Sequence, residues 1–325
     1  MSGTAEEILA LLRQWDEAAD PEPLVIATSG STGAPKRVVL SRAAMRASAL
    51  ATQQRLGGPG RWVLNLPPSY VAGVQVLYRS VLAGTEPLHD FEQAPTGRSY
   101  VSLVPTQLHR ALSGEEQLSE RLARFDAVLV GGGPLDPALR TEAEARGIRV
   151  VQTYGMSETC GGCVYDGVPL DGVELRIEDG EVQLRGPVLF DGYEGDPGRT
   201  QAVMRGGWFR TDDLGSLVDG RLRVSGRRDE VIISGGLKIP GPAVERMLAE
   251  HPSVAQVAVV GVPDAEWGER VVAFCVGSEK PGQTLRDVVV PHEWSPKQWV
   301  SLDALPLLSN GKVDRMALRE LATRG

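Results

Sequence analysis

The chain has 325 residues, of which 34 are basic and 42 acidic, giving a formal net charge of −8. That balance excludes a nucleic-acid binder held by phosphate contacts, which needs a basic face. Hydrophobic residues make up 42%, which excludes wholesale disorder, and three cysteines are too few for a disulfide framework, as suits a reducing, cytoplasmic compartment.

Residues 1–20 are acidic and set Ile8, Leu9, Leu11, Leu12 and Trp15 at helical spacing, which predicts a helix and no signal peptide. No run approaches the ~20 apolar residues that span a bilayer, so membrane insertion is not expected. Strands are expected at 24–27 and 38–40, then a helix capped by Ser41 and ended by Gly57 and Gly58. Further strands are expected at 62–66, 100–104, 127–130 and 149–152, with a helix over 135–146. Such alternation predicts a mostly parallel sheet covered on both faces. From about 165 to 225, short runs at 173–177, 181–185 and 222–225 are separated by the pairs Asp179-Gly180 and Asp219-Gly220, which predict antiparallel hairpins. A strand at 230–233, a helix over 242–251 and strands at 254–260 and 270–276 follow. The length predicts about two domains, with a boundary near Arg228.

Thr28, Ser29, Gly30, Ser31, Thr32, Gly33 and Lys36 stand between two of these strands. Glycines let backbone N–H groups approach, hydroxyls donate hydrogen bonds and the lysine adds charge, which together suit a polyphosphate cradle. The spacing is not that of a Walker A loop, and an ordinary Ser/Gly surface loop is the alternative.

This loop resembles the phosphate loop of the adenylate-forming superfamily of acyl-CoA synthetases, nonribosomal adenylation domains and luciferases. Four further stretches resemble its other motifs in the same order: residues 154–159, 208–215, 226–236 and 310–315. In the second, Asp212 stands where glycine is usual. The resemblance implies an AMP-forming acid–thiol ligase using ATP, Mg²⁺ and coenzyme A. A carboxylate would attack the α-phosphate of ATP, and cations must offset the repulsion between the two anions. The loop from Thr28 to Lys36 would hold the β- and γ-phosphates. Gly131, Gly132, Gly133, Tyr154, Gly155 and Ser157 would complete the adenine site, Asp213 would meet the ribose hydroxyls and Arg227 the ribose or α-phosphate. Glu158 would bind Mg²⁺, a hard cation that prefers oxygen ligands, and Lys312 would be the catalytic lysine. A hinge at Asp229 would let the C-terminal domain rotate, bringing Ser234, Gly235 and Gly236 to the coenzyme A tunnel.

The implied fold is α/β: a large domain over 1–227 with layered sheets, helices and a β-rich part at about 165–225, and a small mobile α+β lid over 228–325. Most members carry a further subdomain ahead of the phosphate loop. The expectation is therefore a chain N-terminally truncated relative to the superfamily, which could suit a minimal enzyme with a small substrate or leave an exposed apolar face for a homodimer to cover.

Residues 66–75, 101–107 and 154–164 resemble more narrowly the o-succinylbenzoate–CoA ligases of menaquinone synthesis, particularly their short actinobacterial form. That substrate carries two carboxylates, and the one that does not react needs a cationic or hydroxyl partner. Ser69, Tyr70, Gly73, Arg79, Gly161 and Gly162 are the acyl-site candidates. Arg79 suits the spare carboxylate, unless it is a solvated helix residue. Ser69 stands where histidine is frequent. Cys160 and Cys163 read as small packing residues beside the acyl pocket, in preference to zinc or redox chemistry. Another acyl-CoA ligase, a stand-alone adenylation domain and a non-catalytic nucleotide-binding protein are the alternatives.

Overall fold

Thr4 starts the first helix, Ala5–Glu17, with a reciprocal cap: its hydroxyl accepts from the Glu7 N–H, and the Glu7 carboxylate accepts from the Thr4 N–H. Ile8, Leu9, Leu12 and Trp15 are buried, whereas Leu11, expected on the same stripe, is 46% exposed. The helix packs on helix Val71–Ala83, where the Trp15 and Tyr78 rings meet edge-to-face at 5.6 Å. The computed structural model describes residues 1–28, 36–91, 97–114, 116–308 and 313–324.

Two compact units make up the chain. The first comprises Met1–Arg176, Gln183–Arg210 and Val218–Leu222, and the second Ile177–Val182, Thr211–Leu217 and Arg223–Gly325. In the first unit, strands Leu24–Thr28 and Lys36–Leu40 pair antiparallel, and Gly192–Tyr193 extends them to a three-stranded sheet. The expectation that they join the parallel sheet is thereby corrected. A parallel crossover needs a dozen or more residues, and the stretch 29–35 is too short for one. Ser41 caps helix Arg42–Arg55 through the Ala44 N–H, as expected.

A six-stranded sheet follows in the order Arg61–Val63, Ser99–Leu103, Ala127–Val130, Val150–Met156, Gly161–Tyr165 and Val168–Pro169. The first four strands pair parallel, and the two remaining pairings, of Gly161–Tyr165 with Val150–Met156 and with Val168–Pro169, are antiparallel. All four residues of Ala127–Val130 are buried, as befits a central parallel strand with both faces covered. Strands Glu174–Glu178, Glu181–Arg185, Met204–Arg205, Trp208–Val218 and Arg221–Arg227 form a further sheet, with residues in both units. Asp179 and Gly180, and likewise Asp219 and Gly220, take left-handed φ values of 52° and 77°, and of 50° and 72°. Those are the values a two-residue hairpin with the native strand twist requires.

In the second unit, strands Gln256–Asp264 and Gly268–Val276 pair along their whole length. Val259, Val271, Ala273 and Cys275 share a core with Val244 and Leu248 of helix Gly241–Ala249. Ala258, Val260, Val272 and Phe274 share another with Leu318 and Ala322 of helix Arg315–Arg324. Burial on both faces explains the unbroken apolar runs. The strand expected at 230–233 starts at Val231, because Arg228–Glu230 form a 3-10 turn. No helix among the described residues is long and apolar enough to cross a membrane.

Candidate active site

Thr28 and Lys36 face each other across the hairpin that carries the Ser/Gly loop, with the Thr28 hydroxyl 3.5 Å from the Lys36 carbonyl. Ser29, Gly30, Ser31, Thr32 and Gly33 lie outside the described residues, as does Lys312. The Lys36 ammonium sits 5.6 Å from the centre of the Tyr193 ring. The Tyr193 hydroxyl in turn donates to Glu158 Oε1 at 2.8 Å. Glu158 is buried in the 3-10 turn Ser157–Thr159, between Ser157 and Thr159, which are also buried. Lys36, at one end of the Ser/Gly segment, and Glu158, the carboxylate expected to meet a metal, are therefore linked through Tyr193 in the first unit.

Gly131, Gly132 and Gly133 follow strand Ala127–Val130, and Tyr154 and Gly155 lie on the neighbouring parallel strand Val150–Met156. Carboxyl ends of adjacent parallel strands are where open α/β sheets bind ligands. Gly155 is required by packing as well: a Cβ there would fall 2.1 Å from the Gly161 carbonyl oxygen.

Of the acyl candidates, Gly161 and Gly162 lie on strand Gly161–Tyr165 of this sheet, and Ser69, Tyr70, Gly73 and Arg79 lie on a neighbouring helix and the loop before it. Tyr70 caps helix Val71–Ala83, after Ser69, and a Cβ on Gly73 would lie 2.1 Å from the Pro67 carbonyl oxygen. Gln75 and Arg79 share one face of that helix, an i, i+4 pair, and meet Ser48 and Thr52, an i, i+4 pair on helix Arg42–Arg55. Gln75 and Ser48 both donate to the Cys160 carbonyl, at 2.8 and 3.1 Å. Arg79 is 4% exposed, which removes the solvated alternative. Its guanidinium donates to Thr52 Oγ1 at 3.1 Å and stacks 4.8 Å from the Trp62 ring centre, while its Nε has no hydrogen-bond partner among the described residues. Thr52 also bonds the Tyr165 hydroxyl at 3.0 Å, and Tyr165 lies against Gly162. Among the described residues no carboxylate pairs with Arg79, and its burial lowers the guanidinium pKa. Cys160 and Cys163 are fully buried beside Gly161, and burial pushes the Cys163 thiol up to about 12. Thiols so firmly protonated are poor nucleophiles.

In the second unit, Arg227 donates to Asp213 Oδ1 at 3.1 Å, and Asp213 is buried. Asp212 stands at φ 61° within strand Trp208–Val218, a left-handed conformation that glycine adopts freely, so the acid there occupies a glycine-like backbone position. Of the two neighbouring acids, Asp213 is thus the one engaged with Arg227. Asp229 lies in the Arg228–Glu230 turn. Gly235 and Gly236, at φ 57° and 79°, close the hairpin between Val231–Ser234 and Leu237–Pro240, and the buried Ser234 hydroxyl has no partner among the described residues.

Residues 12–194 match the AMP-binding enzyme family, and residues 243–312 match the AMP-binding enzyme C-terminal domain. The chain belongs to the AMP-binding enzymes. A probable 2-succinylbenzoate–CoA ligase of Mycobacterium tuberculosis is 43% identical, covering 96% of this chain and 88% of that protein. The 2-succinylbenzoate–CoA ligase of Escherichia coli is 35% identical, over 91% of this chain and 68% of that protein. Among solved structures, the o-succinylbenzoate CoA synthetase of Bacillus subtilis in complex with the acyl-adenylate intermediate OSB-AMP superposes with a TM-score of 0.78 at 30% identity, over 91% of this chain and 68% of that one. This AMP-binding enzyme has the mixed helix-and-sheet fold of those neighbours, with a small C-terminal domain.

Reading the sequence missed Tyr193, Gln75, Thr52, Tyr165 and Trp62. No local signal marks them, because each acts through a partner distant in the chain: Tyr193 lies 35 residues from Glu158, and Thr52 lies 113 from Tyr165.

Proposed function

We propose that this AMP-binding enzyme is an o-succinylbenzoate–CoA ligase, and the observation that carries the substrate is Arg79. A buried cation without an acid partner is costly unless an anion meets it. A substrate with a second, non-reacting carboxylate supplies that anion, whereas a monocarboxylic acid does not. Similarity to ligases named for this substrate supports the reading.

In the first step an oxygen of the reacting carboxylate bonds to the α-phosphorus of ATP, the α–β bridging bond breaks, and diphosphate leaves. In the second the coenzyme A sulfur attacks the acyl carbonyl, AMP leaves with the mixed-anhydride electron pair, and the thiol proton passes to solvent. Thr28 and Lys36 frame the segment assigned to the β- and γ-phosphates, and Lys312 is assigned to bridge the two reacting anions. Glu158 fits Mg²⁺ by its chemistry, a buried carboxylate with one oxygen fixed by a phenol. When bound, that ion neutralises phosphate charge. Tyr154 and Gly131 to Gly133 are assigned to adenine, Asp213 to the ribose, Arg227 to the ribose or the α-phosphate, and Ser69, Tyr70, Gly73, Gly161 and Gly162 to the acyl body. Ser234, Gly235 and Gly236 are assigned to the coenzyme A path.

The adenylation part spans 1–227 and the lid 228–325, turning about Asp229. We assign the reaction to the cytoplasm, with three buried free cysteines in support. Self-association belongs to the same reading.

Diphosphate release with a panel of carboxylic acids, with and without coenzyme A, tests the proposal. The expected result is release with o-succinylbenzoate, rising to multiple turnovers when coenzyme A is added. Greater release with a monocarboxylic aryl or acyl acid overturns the substrate. ATP binding without release for any acid overturns catalysis and favours a nucleotide-binding protein.

A further inference from the structure

The stretch from Phe190 to Tyr193 holds Glu158 at two points. The Phe190 N–H donates to the Glu158 carbonyl at 2.9 Å, and the Tyr193 hydroxyl donates to the Glu158 carboxylate at 2.8 Å. Tyr193 is itself fixed. It pairs with Val38 in register, its N–H donates to Thr200 Oγ1 at 2.9 Å, and its ring meets Phe190 edge-to-face at 5.0 Å. Lys36 lies two residues before Val38, on the same face of its strand and diagonal to Tyr193. Its ammonium sits by the Tyr193 ring, with the Arg199 guanidinium 5.2 Å from the same ring centre. No ion pair joins Lys36 to Glu158 among the described residues.

We propose that Tyr193 is a positioning residue for the phosphate–metal end of the site: its hydroxyl orients the Glu158 carboxylate, and its ring keeps the Lys36 ammonium from collapsing onto that carboxylate. With Oε1 held by the phenol, Oε2 is the oxygen left to meet a hard cation. The ring offers Lys36 a weak electrostatic rest, which a phosphate easily outcompetes. Without the ring, anion and cation can neutralise each other, and both are lost to the ligand. Without only the hydroxyl, the separation persists but the carboxylate turns freely. This inference rests on the assignment of Glu158 to the metal.

Mn²⁺ serves as the probe, its free concentration read by electron paramagnetic resonance in titrations of the full-length protein with ATP and no acid. Tyr193→Phe, Tyr193→Leu and Glu158→Gln are compared with the parent protein, and AMP affinity is measured separately without metal. Tyr193→Phe is expected to weaken Mn²⁺ binding roughly 10-fold, the range for groups that orient a metal ligand, with AMP affinity within about twofold. Tyr193→Leu is expected to weaken it further. Unchanged Mn²⁺ affinity in Tyr193→Phe, with binding lost in Glu158→Gln, overturns the role of Tyr193 alone. Unchanged affinity in Glu158→Gln overturns the metal assignment and this inference together. Equal losses of Mn²⁺ and AMP affinity in Tyr193→Phe also overturn it, since a general structural defect accounts for them.

Discussion

Arg79 holds a charge that water barely reaches, among neutral partners: the Thr52 hydroxyl and the Trp62 face. A guanidinium stays ionised even when burial lowers its pKa, so the site retains its positive charge. Replacing it with a similar apolar volume relieves the burial cost. Arg79→Met is therefore expected to raise the KM for o-succinylbenzoate by at least about tenfold, the effect of losing a charged hydrogen bond of ~1.5–3 kcal/mol. The KM for ATP and the melting temperature should hold or, for the latter, rise. Steady-state kinetics beside thermal unfolding check this; equal losses for dicarboxylic and monocarboxylic acids would count against it. The sequence raised Arg79 but left it undecided between solvent and substrate. Helix Val71–Ala83 is buried from Gly73 to Ser80, Gln75 and Arg79 included, so the polar residues of its sequence do not mark a solvent face from which to judge a single arginine.

Among the elements, helix Ala5–Glu17 was legible because its start signal and its stripe are both local: Thr4 and Glu7 form the cap, and Leu12 and Trp15 recur at helical spacing. Asp179-Gly180 and Asp219-Gly220 were legible for the same reason. Strands Leu24–Thr28 and Lys36–Leu40 were recognised, but not their antiparallel pairing, which the short stretch between them dictates; the third strand Gly192–Tyr193, more than 150 residues away, carries no local signal of its place beside them. In the first helix, Leu12 is fully buried against the rest of the first unit. Leu12→Ala is expected to cost ~2–5 kcal/mol in urea unfolding, transfer and cavity contributions together, while the folded fraction keeps its turnover number. A loss below ~1 kcal/mol would mean that this helix packs too loosely to stabilise the unit.

At the scale of the molecule, the ordered motifs announced the family; of the residues assigned above to the reaction, Glu158 and Arg79 belong to the first unit, and Asp213 and Arg227 to the second. If the two half-reactions need different lid orientations, Lys312 and Asp229 separate them. Lys312→Ala should cut acyl-adenylate formation by at least ~100-fold, the scale of losing a charge-stabilising group, with ATP affinity retained. Asp229→Pro, which fixes φ in the turn, should keep single-turnover diphosphate release and lose thioester formation. Stopped-flow assays of each half-reaction read both outcomes, and a proline variant with both steps intact would move the hinge elsewhere. The boundary expected near Arg228 follows the chain, whereas the second unit also draws in 177–182 and 211–217. In that unit Arg227 bonds Asp213, and Arg228 lies 3.6 Å from Glu181, a carboxylate only 2% exposed. A homologue's tail grafted at a single splice point ahead of Arg227 would leave both acids behind to meet arginines from another chain, whereas exchanging the three stretches of the second unit together carries both pairs across intact.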